Sequence, residues 1–468
     1  MISRKPLAIT ACLLAICLTG CGQAQSPEPA TVRGSVDVVR PAKTGSDWPC
    51  FLGPTRDGKS TETGILTDWP EGGLPIVWHR ELGTSYGIGS VADGCYYQFD
   101  RHGDEARLTC LKASDGTFLW KYAYQTDYKD DLGYNNGPRC SPVIDDGRVY
   151  VFGAGGMLHC VDGADGSPIW HVDTAERFGV VQNFFGVGST PVIEGDLLLV
   201  MVGGSPPESR EAGRYSMDLV QPNGTAVVAF DKRTGEVRYR AGNELASYAV
   251  PQLATIDGRR WGFLFARGGL IGFEPTTGTV DFHFPWRAKL HDSVNASTPV
   301  VVGDEVLISE TYGPGSALLR VRPGDYEVVW LDPPGRNKAM LTHWNTPIYH
   351  EGYLYGSSGR HKSNAELRCI EWGTGKVMWS EPRLTRASLL YVDGHFICLS
   401  EDGVLRPMEA TSEAYRPKAE VILRDESTGD PLLCDPAWAA PILAHGLLYV
   451  RGRDRVVCLR LAGDGRGS

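Results

Sequence analysis

Residues 108–120 read LTCLKASDGTFLW, and the same phrase returns at 158–170 as LHCVDGADGSPIW. Further copies are VVAFDKRTGEVRY at 227–239, LIGFEPTTGTVDF at 270–282 and LRCIEWGTGKVMW at 367–379. In each, an aromatic residue stands four positions after a glycine preceded by Asp or Thr: Trp120, Trp170, Tyr239, Phe282 and Trp379. Alternating apolar residues make two strands, and the glycine supplies the left-handed residue of a tight turn. Each copy is therefore a hairpin whose outgoing strand carries an aromatic towards the next unit.

A second phrase precedes the first: SPVIDDGRVYV at 141–151, TPVIEGDLLLV at 190–200, TPVVVGDEVLI at 298–308, TPIYHEGYLY at 346–355 and APILAHGLLY at 440–449. It is another hairpin, opened by a proline where a missing N–H is tolerated. Weaker openings at Ile88, Val250 and Ala387 bring the count to eight. Eight units of two hairpins, roughly 50 residues apart, predict an all-β, eight-bladed β-propeller of four-stranded antiparallel blades. The turn is replaced by Asp325-Tyr326 in the fifth unit, and in the seventh both turn and Trp are missing around Thr411 to Tyr415. The last unit ends at Arg460 without an aromatic strand, whereas Leu74 to Trp78 is an aromatic strand without a partner. Together they predict a ring closed by an N-terminal strand, so that no sheet edge stands free.

Composition agrees. Gly 57 and Pro 30 in 468 residues exclude a helical bundle. The net charge of -10 excludes nucleic-acid binding through bulk attraction. Residues 1–20 read as a signal peptide, with Arg4 and Lys5 before the apolar run Leu7 to Leu18, and Cys21 follows Leu18-Thr-Gly as in a lipidation signal. The expected organisation is a signal peptide (1–20), a lipid-anchored flexible tether (21–46), the propeller (47–462) and a disordered tail (463–468). Nine cysteines follow Cys21 with no Cys-x-x-Cys spacing, and four of them, Cys110, Cys160, Cys369 and Cys458, occupy one repeat position as small buried residues.

The paired phrases resemble the repeat of the quinoprotein-like propellers named for pyrroloquinoline quinone (PQQ). These include quinoprotein alcohol dehydrogenases and the lipid-anchored propeller subunit of the outer-membrane β-barrel assembly machine. The opening DWPCFLGPTRDG at 47–58 is similar to that of exported PQQ-like repeat proteins, mostly of unassigned function. The dehydrogenase resemblance implies PQQ, calcium, an adjacent Cys-Cys pair and a catalytic Asp. This chain has no Cys-Cys dipeptide and no carboxylate cluster at metal spacing, and Asp162, Asp231, Glu274 and Glu371 stand where they cap turns. Neither a phosphate loop nor a Gly-x-Ser-x-Gly elbow is present, and His159 and His171 are read as structural strand residues.

The expectation is accordingly a binding or scaffold protein of the cell envelope, facing the periplasm from the outer membrane, leaning away from an enzyme and needing no metal or cofactor. Its partner would be an envelope protein or a glycan. The alternative is a PQQ-dependent oxidoreductase of alcohols or sugars, with calcium. The site is expected on the face crossed by the links between blades, where aromatics stand beside amides and cations. Those links carry Tyr128, Tyr134, Asn135, Asn136 and Arg139; Asn183, Phe184 and Phe185; Arg287, Lys289 and His291; and Lys338, His343 and Trp344. The expected ligand is anionic or polyhydroxylated.

Overall fold

The computed structural model describes residues 30–33, 45–209, 214–291 and 293–462. Signal peptide, Cys21 and the 463–468 tail lie outside them. Eight antiparallel sheets follow one another around an axis. Blade 1 comprises Ser90–Ala92, Cys95–His102, Glu105–Lys112 and Phe118–Gln125, ordered from inside to outside. The inner strands of blades 2 to 8 begin at Val143, Val192, Gln252, Val300, Ile348, Ala387 and Ile442. The last blade takes its outer strand from Ile76–Glu81, which pairs antiparallel with Arg455–Arg460, placing Trp78 opposite Cys458. Ring closure by the N-terminal strand is thus observed. A short strand, Ala30–Arg33, within the stretch read as a tether, pairs with the outer strand of blade 1.

The repeat has a packing logic. Trp120, Trp170, Trp379 and Trp78 each face a buried cysteine across the strand pair: Cys110, Cys160, Cys369 and Cys458. A β-bulge beside each pair admits the indole, and a small thiol leaves it room. All nine described cysteines are free. Each aromatic then reaches into the next blade. Trp78 Nε1 donates to Ala113 O (2.9 Å), Trp120 to Gly163 O (3.2 Å), Trp170 to Lys232 O (3.2 Å) and Trp330 to Trp372 O (2.8 Å). The acceptor is always the residue three before the turn glycine. That glycine is obligatory twice over: Gly166 has φ 75°, and a Cβ there would lie 2.5 Å from the Trp120 ring. Blade 7 departs as expected, its outer strand being only Val421–Ile422, and Trp379 docks on Thr411 O (3.0 Å) instead. The Asp-x-x-Thr-Gly turn is displaced rather than lost: Asp425 caps Ser427 N (2.9 Å) and Thr428 N (3.1 Å), ahead of Gly429.

Residues 47–64 do not lie outside the ring. They run through the axial channel at the end opposite the blade links, tied to six blades by hydrogen bonds. Trp48 pairs with Val91, Pro49 O accepts from Ile144 N (2.8 Å) and Arg56 reaches Ile193 O (2.9 Å). Gln252 donates to Arg56 O (3.1 Å), Gly58 O accepts from Tyr391 N (3.0 Å), and Glu62 accepts from His445 N and Gly446 N (both 2.7 Å). The opening motif is therefore a plug, and Phe51 and Leu52 become the floor of whatever lies above.

Candidate functional site

Above that floor is a cavity of about 450 Å³. Its wall follows the end of each link, two residues before the residue that opens the blade in seven blades and one residue before Ala387 in blade 7. Around the ring these are Tyr86, Arg139, Gly188, Tyr248, Ala296, Trp344, Arg386 and Trp438, and all eight line the cavity. The links converge there because each inner strand starts at the axis. Strand alternation also returns every loop between the second and third strands to the same face, adding Tyr312 in blade 5 and Arg360, His361 and Lys362 in blade 6.

The aromatics form a shelf. Tyr86 and Trp344 both pack on Trp438 with ring centroids 4.6 Å apart, inclined at 44° and 38°. Arg386 lies against both indoles, 4.5 Å from Trp344 and 5.3 Å from Trp438. Glu401, fully buried, holds this arrangement: it accepts from Arg386 Nε (3.0 Å) and Nη2 (2.7 Å) and from Trp438 Nε1 (2.9 Å). Arg386 also donates to His343 Nδ1 (3.3 Å), whose Nε2 meets the Tyr312 hydroxyl at 3.0 Å. Burial, reinforced by Arg386 and Arg360, lowers the His343 pKa to about 3, so the imidazole is neutral near pH 7. Arg360 rests 4.4 Å over the Tyr312 ring.

Among the described residues no Asp or Glu lines the cavity, although the chain carries net charge -10. Arg139, Arg360, Lys362 and Arg386 face it, while Asp130, Asp435 and Glu401 stand behind as ion-pair partners of Arg139, Lys362 and Arg386. The result is an aromatic pocket with a cationic rim.

Of the residues expected from sequence, Tyr134, Arg139, Phe185, His343 and Trp344 line the cavity. The others do not. Tyr128, Asn135 and Phe184 are buried in the links, and Asn136 receives the Asp130 amide (2.8 Å). Asn183 bonds Ala246 O (3.3 Å). Arg287 and His291 bind Asp218 at 2.6 and 2.9 Å, forming a clasp further out. Lys289 is exposed outside the lining. Lys338 is buried, its ammonium donating to Pro314 O (3.0 Å) and Pro333 O (2.7 Å), so it serves the loop rather than a ligand. Tyr86, Tyr248, Tyr312, Arg360, Lys362, Arg386 and Trp438 were missed. The repeat held the signal for three of them, Tyr86, Tyr248 and Trp438, at the shared position, and Arg386 stands one residue from it.

No three His, Cys, Asp or Glu side chains among the described residues converge to hold a metal ion. Calcium therefore does not fit this cavity. A flat polycarboxylated ring does, since the shelf offers it a face and the rim offers cations for its acids.

The chain is similar to the quinohemoprotein alcohol dehydrogenase ADH-IIG of Pseudomonas putida, 24% identical over 248 residues, covering 51% of this chain and 31% of that protein. It thus spans about a third of that relative's length. Among solved structures it resembles the quinohemoprotein alcohol dehydrogenase of Comamonas testosteroni, with TM-score 0.61 and 13% identity over 90% of this chain and 81% of that one. It also resembles BamB of Moraxella catarrhalis, with TM-score 0.54 and 13% identity over 84% of this chain and 99% of that one. The dehydrogenase match corrects the expectation that leaned away from an enzyme, since a relative detected in sequence is a quinohemoprotein alcohol dehydrogenase. A family model described as outer membrane protein assembly factor BamB matches residues 67–206, 129–381 and 219–432. Since these matches together run from 67 to 432, well over half its length, the chain belongs to that family of PQQ-like repeat propellers.

Proposed function

We propose that this propeller is an envelope oxidoreductase of the quinoprotein type, binding a flat, multiply carboxylated quinone of the PQQ class in its funnel without calcium and acting on alcohols or sugars. The observation that carries the reading is the aromatic shelf of Tyr86, Trp344 and Trp438 beside Arg360, Lys362 and Arg386, with no carboxylate in the lining. The sequence kinship with an alcohol dehydrogenase supports it. When bound, such a quinone supplies the two-electron acceptor for alcohol oxidation. Arg360, Lys362 and Arg386 would hold its carboxylates, the indoles would orient the ring, and the plug under Phe51 and Leu52 would keep water from entering below. Tyr312 and the neutral His343 offer uncharged hydrogen-bonding groups at the wall. Exposed Leu132, Tyr134, Leu219 and Leu290 on the link faces suit docking of an envelope protein.

Lipidation at Cys21 would hang the body from the membrane. Acyl-label incorporation should be present in the wild type and absent in Cys21→Ala; equal labelling removes the anchor from the proposal. For the site itself, titrating PQQ into the soluble body in a calcium chelator should quench tryptophan fluorescence. The double variant Arg360→Ala, Lys362→Ala should weaken this by about 10- to 100-fold, as expected for lost charge-assisted contacts. Absence of quenching with or without added calcium, together with no dye reduction on alcohols or sugars, sinks the reading.

A further inference from the structure

Three cations facing the funnel are each held by a carboxylate behind the wall, and the three pairs differ in one respect. The side chains of Asp130 and Glu401, which hold Arg139 and Arg386, are fully buried. Asp435 and its partner Lys362 are instead half exposed, at 50% and 46%. Breaking either buried pair would strand a carboxylate out of reach of water, whereas Asp435 is hydrated as soon as its ammonium leaves. The backbone is pinned on both sides of this exposed pair. Lys362 rides on the loop between the second and third strands of blade 6, where Gly359 N donates to Leu341 O (2.8 Å) and His361 N to Asn364 Oδ1 (2.9 Å). Asp435 stands in the blade 7–8 link, where Arg453 N donates to Cys434 O (3.0 Å) and Ala437 N to Glu401 O (2.8 Å). Movement at the pair therefore belongs to the side chains, above all to the flexible four-carbon stem of Lys362.

We infer that Asp435 is an exchangeable counter-ion gating the rim, from which a carboxylate of the ligand takes Lys362 as the ligand seats. No covalent bond changes: one ion pair replaces another, and Asp435 passes to water. The inference deepens the quinone reading and rests on it only for the identity of the ligand. Lys362 lines the funnel, yet it serves a ligand there only by leaving or sharing Asp435. Such a gate favours polycarboxylates. A lone free carboxylate must outcompete one tethered beside Lys362, and at ordinary concentrations it loses. A carboxylate carried on a ring already seated on the aromatic shelf competes on equal terms, because its own local concentration is raised in the same way.

The test is titration of the full soluble body at low and high salt with PQQ, with benzene-1,2,4-tricarboxylate as a simpler polycarboxylate, and with PQQ trimethyl ester as a control without carboxylates. Asp435→Asn should bind both acids about two- to five-fold more tightly than the wild type at low salt, the worth of an exposed ion pair. The gain should shrink at high salt and vanish for the ester. It should also vanish in the Lys362→Ala background, where no ammonium is left to exchange. Because the expected change is a gain, loss of folding cannot imitate it. Equal or weaker binding in Asp435→Asn that melts like the wild type overturns the inference, as does a gain that persists without Lys362. A gain for the tricarboxylate with no binding of PQQ would uphold the gate while removing the quinone reading. PQQ binding without a gain would do the reverse, and failure of both acids to bind overturns the two together.

Discussion

A chain truncated to begin at Leu82 is expected to lose its cooperative melt and to self-associate. Three losses coincide. Removing Ile76–Glu81 opens the outer edge of Arg455–Arg460, leaving a row of unpaired backbone groups ready to capture another chain. Removing Trp78 empties a site where the indole packs 5.7 Å from Tyr96 and 5.8 Å from Tyr449 and donates to Ala113 O. A buried Trp→Ala change alone costs about 3–5 kcal/mol, against a whole-domain stability of about 5–15 kcal/mol. Finally, the plug goes with the strand, releasing six blades from a common tie and opening the funnel floor. Calorimetry and size-exclusion chromatography on the truncated and full soluble bodies check this. A monomer with the wild-type transition would show that closure and plug are dispensable.

That strand was legible in the sequence because a repeat exposes its own deficits: Trp78 lacked a turn before it and Cys458 lacked an aromatic after it. The pairing of Trp with Cys inside each copy was half legible. The cysteines shared a position, but that they sit opposite the indoles follows only from the β-bulge, which shifts register by one residue. The site was less legible, for a topological reason. Sequence reading looked for it in the links between blades, yet Tyr312 and Arg360 come from loops between second and third strands, which antiparallel alternation carries to the same face. The rest of the shortfall lies in the ends of the links. Their last residues keep the repeat's register, which is why Tyr86, Trp344 and Trp438 come together, joined by Arg386 one residue before Ala387. Lys338 shows the opposite error: a cation in a link is more readily spent on loop carbonyls than offered to a ligand.

Glu401→Ala should destabilise the fold and dismantle the funnel together. The carboxylate is fully buried and takes two bonds from Arg386 and one from Trp438, while its backbone N–H donates to Arg386 O (2.8 Å) and its carbonyl accepts from Ala437 N (2.8 Å). One residue thus pins the blade 6–7 link to the blade 7–8 link. Removing it leaves the Arg386 guanidinium largely buried without its counter-charge, a change that costs about 3–5 kcal/mol in buried pairs. It also frees the Trp438 indole on which Tyr86 and Trp344 both lean, so the shelf loses the member common to its contacts. Glu401→Gln keeps the volume and an acceptor for Trp438 or Arg386, and should fall between the wild type and the Ala variant. Urea melts read the first effect, and PQQ quenching at a temperature where each variant is still folded reads the second. The two should fall in the same order across wild type, Gln and Ala. Loss of stability with undiminished binding would separate Glu401 from the site and leave it a structural clamp alone.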